Sequence, residues 1–93
     1  MAVPSPHWYI QTWTWPNREI QEVKFVDSNV SFTSTTVEVK VPSTSSAVEV
    51  SFARTGEMYS VASNSTKQFV DKAADGIFVK LGAASDSVTI MAW

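Results

Sequence analysis

The stretch TVEVKV, Thr36 to Val41, alternates Val37, Val39 and Val41 with Glu38 and Lys40. A period of two is the mark of a half-buried strand, with valines toward a core and charges toward water. AVEVSF, Ala47 to Phe52, repeats the pattern with Val48, Val50 and Phe52 against Glu49 and Ser51. Between them lies the loop PSTSS, Pro42 to Ser46. Two alternating runs joined by five residues predict an antiparallel hairpin with facing valines paired across it.

The period continues outward. NVSFTS carries Val30 and Phe32 in phase, MYSVA reads as a short strand after a turn at Gly56, and SNSTK (Ser63 to Lys67) reads as a turn before QFV. Asp75-Gly76 is a tight-turn dipeptide. IFVKL (Ile77 to Leu81) is nearly all apolar, which predicts cover on both faces. GAASD turns the chain, and SVTIMAW (Ser87 to Trp93) alternates again. Gly56, Gly76 and Gly82 are each expected to be turn glycines with positive φ. In NREIQEVKFVD the spacing of Ile20, Val23 and Val26 allows a helix after Asn17, yet Val23 and Phe25 alternate, and a strand from about Ile20 is favoured. The count is seven to eight short strands. The expected fold is all-β, an antiparallel sandwich or jelly roll, in one domain spanning residues 1–93 with an aromatic N-terminal arm over about 1–17.

Composition narrows the function. Ninety-three residues bury only a modest core. Without cysteine, neither a disulfide nor a thiolate metal site can help, which leaves association with other chains as the remaining source of stability. Net charge is −2, and the seven Lys and Arg residues are scattered with no two adjacent, so nucleic acid is not an expected partner. MAVPSPHWYI has neither the basic start nor the apolar run of a signal peptide, and no stretch is long enough to span a membrane, so a product made in the cytoplasm is expected. The N-x-S/T matches at Asn29 and Asn64 are then chance.

Little catalytic chemistry is available. A serine triad needs a positioned histidine, and the lone His7 stands in the proline-flanked arm. The acids fall on solvent-facing strand positions (Glu38, Glu49) or in turns (Asp27, Asp75, Asp86), as solvation and turn formation require. No glycine-rich phosphate loop is present. The expectation is a protein that is not an enzyme, with no catalytic, cofactor-binding or metal-ligating residue.

HWYIQTWTWPN (His7 to Asn17) holds three of the four tryptophans. Alternation places Trp8, Ile10, Thr12 and Thr14 on one side and Tyr9, Gln11, Trp13 and Trp15 on the other, and neither side is purely apolar. Three readings fit: a strand buried on both faces, a contact with sister chains or a partner, or a sugar-stacking face built from Tyr9, Gln11, Trp13 and Asn17. Trp93 caps the core or lies in a joint between chains. The contact reading assigns Trp8, Tyr9, Trp13, Trp15 and Trp93 to a protein interface. The sugar-stacking reading makes the chain a lectin-like module with a glycan partner.

The segment STKQFVDKAADGIFVKLGAASDSVTI, residues 65–90, resembles one in small structural proteins of tailed phages. There a strand ending in an FVRLG-like run precedes a small-residue turn and a further short strand. Here the run is IFVKLG, the turn AASD and the strand SVTI. The resemblance implies a virion protein: a head decoration (cement) protein, or an accessory domain of a head fibre or tail. It further implies a homotrimer that binds the major capsid protein or another virion protein, through an N-terminal arm that reaches a neighbouring chain.

Overall fold

The computed structural model describes residues 7–71 and 73–93. Among these residues there are ten strands and no helix. The strands are β1 (Tyr9–Thr14), β2 (Gln21–Lys24), β3 (Val26–Asp27), β4 (Val30–Ser31), β5 (Val37–Val41), β6 (Val48–Ser51), β7 (Tyr59–Val61), β8 (Ser65–Phe69), β9 (Gly76–Lys80) and β10 (Ser87–Ala92). Eight of them form two antiparallel four-stranded sheets, ordered β1-β10-β5-β8 and β2-β9-β6-β7. That is the strand order of a jelly roll, in which the chain passes back and forth between two facing sheets, with β6 and β7 the one successive pair within either sheet. The remaining pair, β3 and β4, is a small hairpin inserted between β2 and β5, which accounts for the excess over the expected strand number.

The two valine-rich strands do not form a hairpin. β5 pairs with β10 and β8, whereas β6 pairs with β7 and β9. Their valines meet across the core instead: Val37, Val39, Val41, Val48 and Val50 are all buried. Each strand had one apolar face to bury, and stacking face to face satisfies both faces without placing the two strands side by side. The connecting loop therefore crosses the end of the sandwich. It is pinned there by Ser45, whose N–H donates to the Pro42 carbonyl (3.1 Å) and whose Oγ accepts the N–H of Ser87 (3.0 Å). The Asp86 carboxylate accepts the N–H of Ser46 at 2.8 Å.

The core joins both sheets through Val23, Phe25, Val61, Ile77, Val79, Leu81, Val88, Ile90 and the valines above. Each such side chain, fully buried, contributes roughly 1.5–3 kcal/mol of transfer free energy. IFVKL shows the limit of reading a run by composition. Ile77, Val79 and Leu81 are buried, but Phe78 points outward and is only half-covered, with the Arg54 guanidinium 5.1 Å from its ring centre. SNSTK also divides differently, because strand β8 already begins at Ser65.

None of the glycines takes a positive φ; Ser28, Asn29, Asn64, Asp71 and Ser85 do so instead. Two glycines answer to crowding. A Cβ on Gly76 would lie 2.6 Å from the Val23 carbonyl oxygen, and one on Gly82 would strike the carbonyl of Ala47. Both are places where one strand or loop passes directly over another backbone, which only glycine permits.

Candidate interaction surface

β1 is an edge strand. It pairs with β10 from Tyr9↔Ala92 to Thr14↔Ser87, so the middle of the stretch read as an arm, residues 9–14, is built into the sheet, while residues 1–6 lie outside the described part. Alternation along β1 holds in the structure. Tyr9 faces inward, 9% exposed, with its ring 5.4 Å from that of Phe25. Trp13 follows on the same side, packs against the core and donates its indole N–H to the Tyr9 hydroxyl at 2.8 Å. Burial holds the Tyr9 phenol above its ordinary pKa of 10.0, partly offset by that hydrogen bond.

The tryptophans form two stacked pairs. Trp13 and Trp15 lie 5.5 Å apart and nearly parallel, at 10°. They cover the flank of the sandwich beside edge strands β1 and β2, packed against the core, and each keeps part of its surface exposed. Trp8 and Trp93 stack at 5.1 Å and 21° at the end of the outer face of the β1 sheet. Trp8 is 51% exposed and Trp93 half-buried. Next along that face come Ile10, 65% exposed, and its cross-strand partner Met91. The patch then turns polar. Thr12 shares a hydroxyl–hydroxyl bond with Thr89 (2.9 Å) and Thr14 with Ser87 (3.0 Å).

All five aromatic residues expected at an interface thus lie on or beside β1. Tyr9 is spent inside the chain, while the four indoles keep exposed surface. Ile10 and Met91 were missed as members of the patch. Ile10 could have been found from its phase with Trp8, whereas Met91 is placed only by the strand register.

A clasp fixes the start of β1. The Asp27 carboxylate accepts the Trp8 N–H at 3.1 Å and lies 3.4 Å from His7 Nδ1. The His7 ring stacks on Phe32 at 5.3 Å, and Phe32 lies 6.1 Å from Phe25, so an aromatic chain runs from the arm into the core. The Trp8 N–H, above all, holds the Asp27 carboxyl below its ordinary range; desolvation opposes it, and hydrogen bonds from His7 and Ser28 add to the lowering.

On the opposite flank, Phe52, Tyr59 and Phe69 meet edge to face, and the Lys67 ammonium lies 5.8 Å and 5.5 Å from the Tyr59 and Phe69 ring centres. Among the described residues no group of three or more His, Cys, Asp or Glu is placed to hold a metal ion.

An all-β jelly roll with an aromatic edge strand is the class that fold and surface define. One solved structure resembles it: a chain from Bacillus endospore appendages, described as a novel family of disulfide-linked pili. The match has a TM-score of 0.62 and 20% identity, and covers 91% of this chain and 83% of that one. At that identity the likeness establishes the fold. No protein-family model matches the chain, and no curated protein matches it in sequence.

Proposed function

We propose that this chain is a non-enzymatic structural subunit that binds other protein chains through the aromatic surface along β1. The observation that carries this reading is that Trp8 and Ile10 stand more than half exposed, next to Trp93, Trp13 and Trp15, which the chain itself covers only in part. Large apolar side chains left open in a cluster mark a contact surface, and tryptophan is enriched where contact energy concentrates. Burying one more indole supplies on the order of 2 kcal/mol, and repeated copies add the advantage of multivalency.

In its finer form the proposal is a phage decoration protein in the virion, assembled from sister chains on a capsid; the IFVKLG segment supports that form. The shared fold of the endospore appendage chain favours a second setting, an extracellular appendage built from copies of one subunit. Such an appendage would here be held without disulfides, since the chain has no cysteine. Negative-stain microscopy of the concentrated pure chain separates them: filaments support the appendage, and discrete oligomers the decoration protein. A tryptophan fluorescence shift on titration with soluble sugars, from a chain that does not self-associate, would replace both with the lectin-like reading.

A further inference from the structure

Which edge of the fold accepts another chain follows from the hydrogen-bond phase of the sheet. Trp93 and Thr36 exchange both backbone bonds, N–H to carbonyl, each at 3.0 Å. Odd-numbered residues of β10 therefore turn their backbone groups toward β5, and Val88, Ile90 and Ala92 turn theirs toward β1. Their partners are Trp13, Gln11 and Tyr9. This leaves the N–H and C=O groups of Ile10, Thr12 and Thr14 directed off the edge of the sheet. The Trp8 N–H points the same way and is taken by Asp27. The open stretch thus runs from Ile10 to Thr14, bounded by that clasp and by Pro16, with Thr12 at its centre.

The four sheet edges are not equivalent. β8 points Lys67 inward over two aromatic rings, a feature that discourages strand addition. β2 carries Glu22 and Lys24 within four residues, and β7 is only three residues long. β1 is six residues long, and no charge occurs from Trp8 to Asn17. At a two-fold axis any charge near the axis faces its own copy, so an uncharged edge is the one suited to its own kind.

We infer that β1 pairs antiparallel with β1 of a second copy about a two-fold axis at Thr12, which joins two four-stranded sheets into one of eight. This inference rests on the assembly reading above. In that register Thr12 faces Thr12 of the second copy, Ile10 faces its Thr14, and all the outward backbone groups of both stretches are paired. On the inward side Trp15 comes beside Tyr9 of the second copy and Trp13 beside its Gln11, which covers the stacked pair on the open flank. The joint gives even-numbered assemblies: two copies, or six where the trimer implied by the phage resemblance also forms.

Cysteine cross-linking tests the register, because the chain supplies no competing thiol. Facing residues of a hydrogen-bonded antiparallel pair have Cα atoms about 5.5 Å apart, within disulfide reach. Oxidised Thr12→Cys is expected to run at twice 10.2 kDa on a non-reducing gel. Ile10→Cys alone, with its two copies about 14 Å apart along the strands, is expected not to cross-link. Mixed with Thr14→Cys it is expected to do so. Thr12→Lys, an exposed substitution, should halve the solution mass while leaving the circular dichroism unchanged. If the wild-type chain assembles but Thr12→Cys cross-links only when mixed with Thr66→Cys on β8, or not at all, the two-fold joint is wrong while the assembly reading stands. A wild-type chain that stays monomeric at every concentration overturns both.

Discussion

Trp13 donates its indole N–H to the hydroxyl of Tyr9, 2.8 Å away and one inward position earlier on the same strand. The bond fixes how the first of the flanking indoles stands, and it leaves the second, Trp15, to stack on it. Tyr9→Phe removes the acceptor and keeps the ring against Phe25. It is expected to cost about 1 kcal/mol, read as a lowered urea midpoint with unchanged slope. Folded Tyr9 holds its proton to higher pH than the unfolded chain does. Its contribution is therefore complete below 10.0 and is lost as pH rises through and beyond that value. The alkaline loss of stability should be smaller in Tyr9→Phe.

The clasp at Asp27 responds to acid. Its carboxyl sits below the ordinary value of 3.8, so its contribution is complete above 3.8 and is lost as pH falls through the lower folded value. The amide proton of Trp8, followed by NMR, should move as Asp27 is protonated, at a pH below the carboxyl's ordinary value. Asp27→Asn should abolish the acid transition.

Gly82→Ala tests crowding against backbone conformation. With negative φ at Gly82, alanine meets no dihedral penalty, but its Cβ meets the Ala47 carbonyl. The expected loss is about 1–3 kcal/mol, as for overpacking, measured by thermal melting. A neutral result would mean that the crossing loop moves aside freely.

Lys67 keeps the β8 edge from accepting strands. Lys67→Thr, made together with Thr12→Lys so that β1 stays closed, is expected to raise concentration-dependent association seen by light scattering. Thr12→Lys alone should show no such increase.

The sequence made the class of fold legible because each strand has one apolar face. Val37, Val39 and Val41, and Val48 and Val50, announced which faces would be buried. It did not announce which strand lies beside which. Period two fixes a face and is silent on neighbours, so β5 and β6, joined by a short loop, read as a hairpin when they belong to facing sheets. The glycines misled for a related reason: the need at Gly76 and Gly82 comes from a distant backbone passing overhead. Within the candidate surface, the sides of β1 were readable from alternation. The pairing of Trp8 with Trp93 and of Ile10 with Met91 required β10 to lie alongside β1, and that long-range register has no local signature.

The central claim is that this chain leaves indoles exposed for another chain to cover. Multi-angle light scattering of the wild type beside the Trp8→Ala/Trp15→Ala double variant tests it most directly. The prediction is a wild-type mass that is a multiple of 10.2 kDa, and a folded double variant at or near 10.2 kDa with unchanged far-ultraviolet circular dichroism. A wild-type mass of 10.2 kDa at all concentrations, or a double variant that assembles as the wild type does, would contradict it.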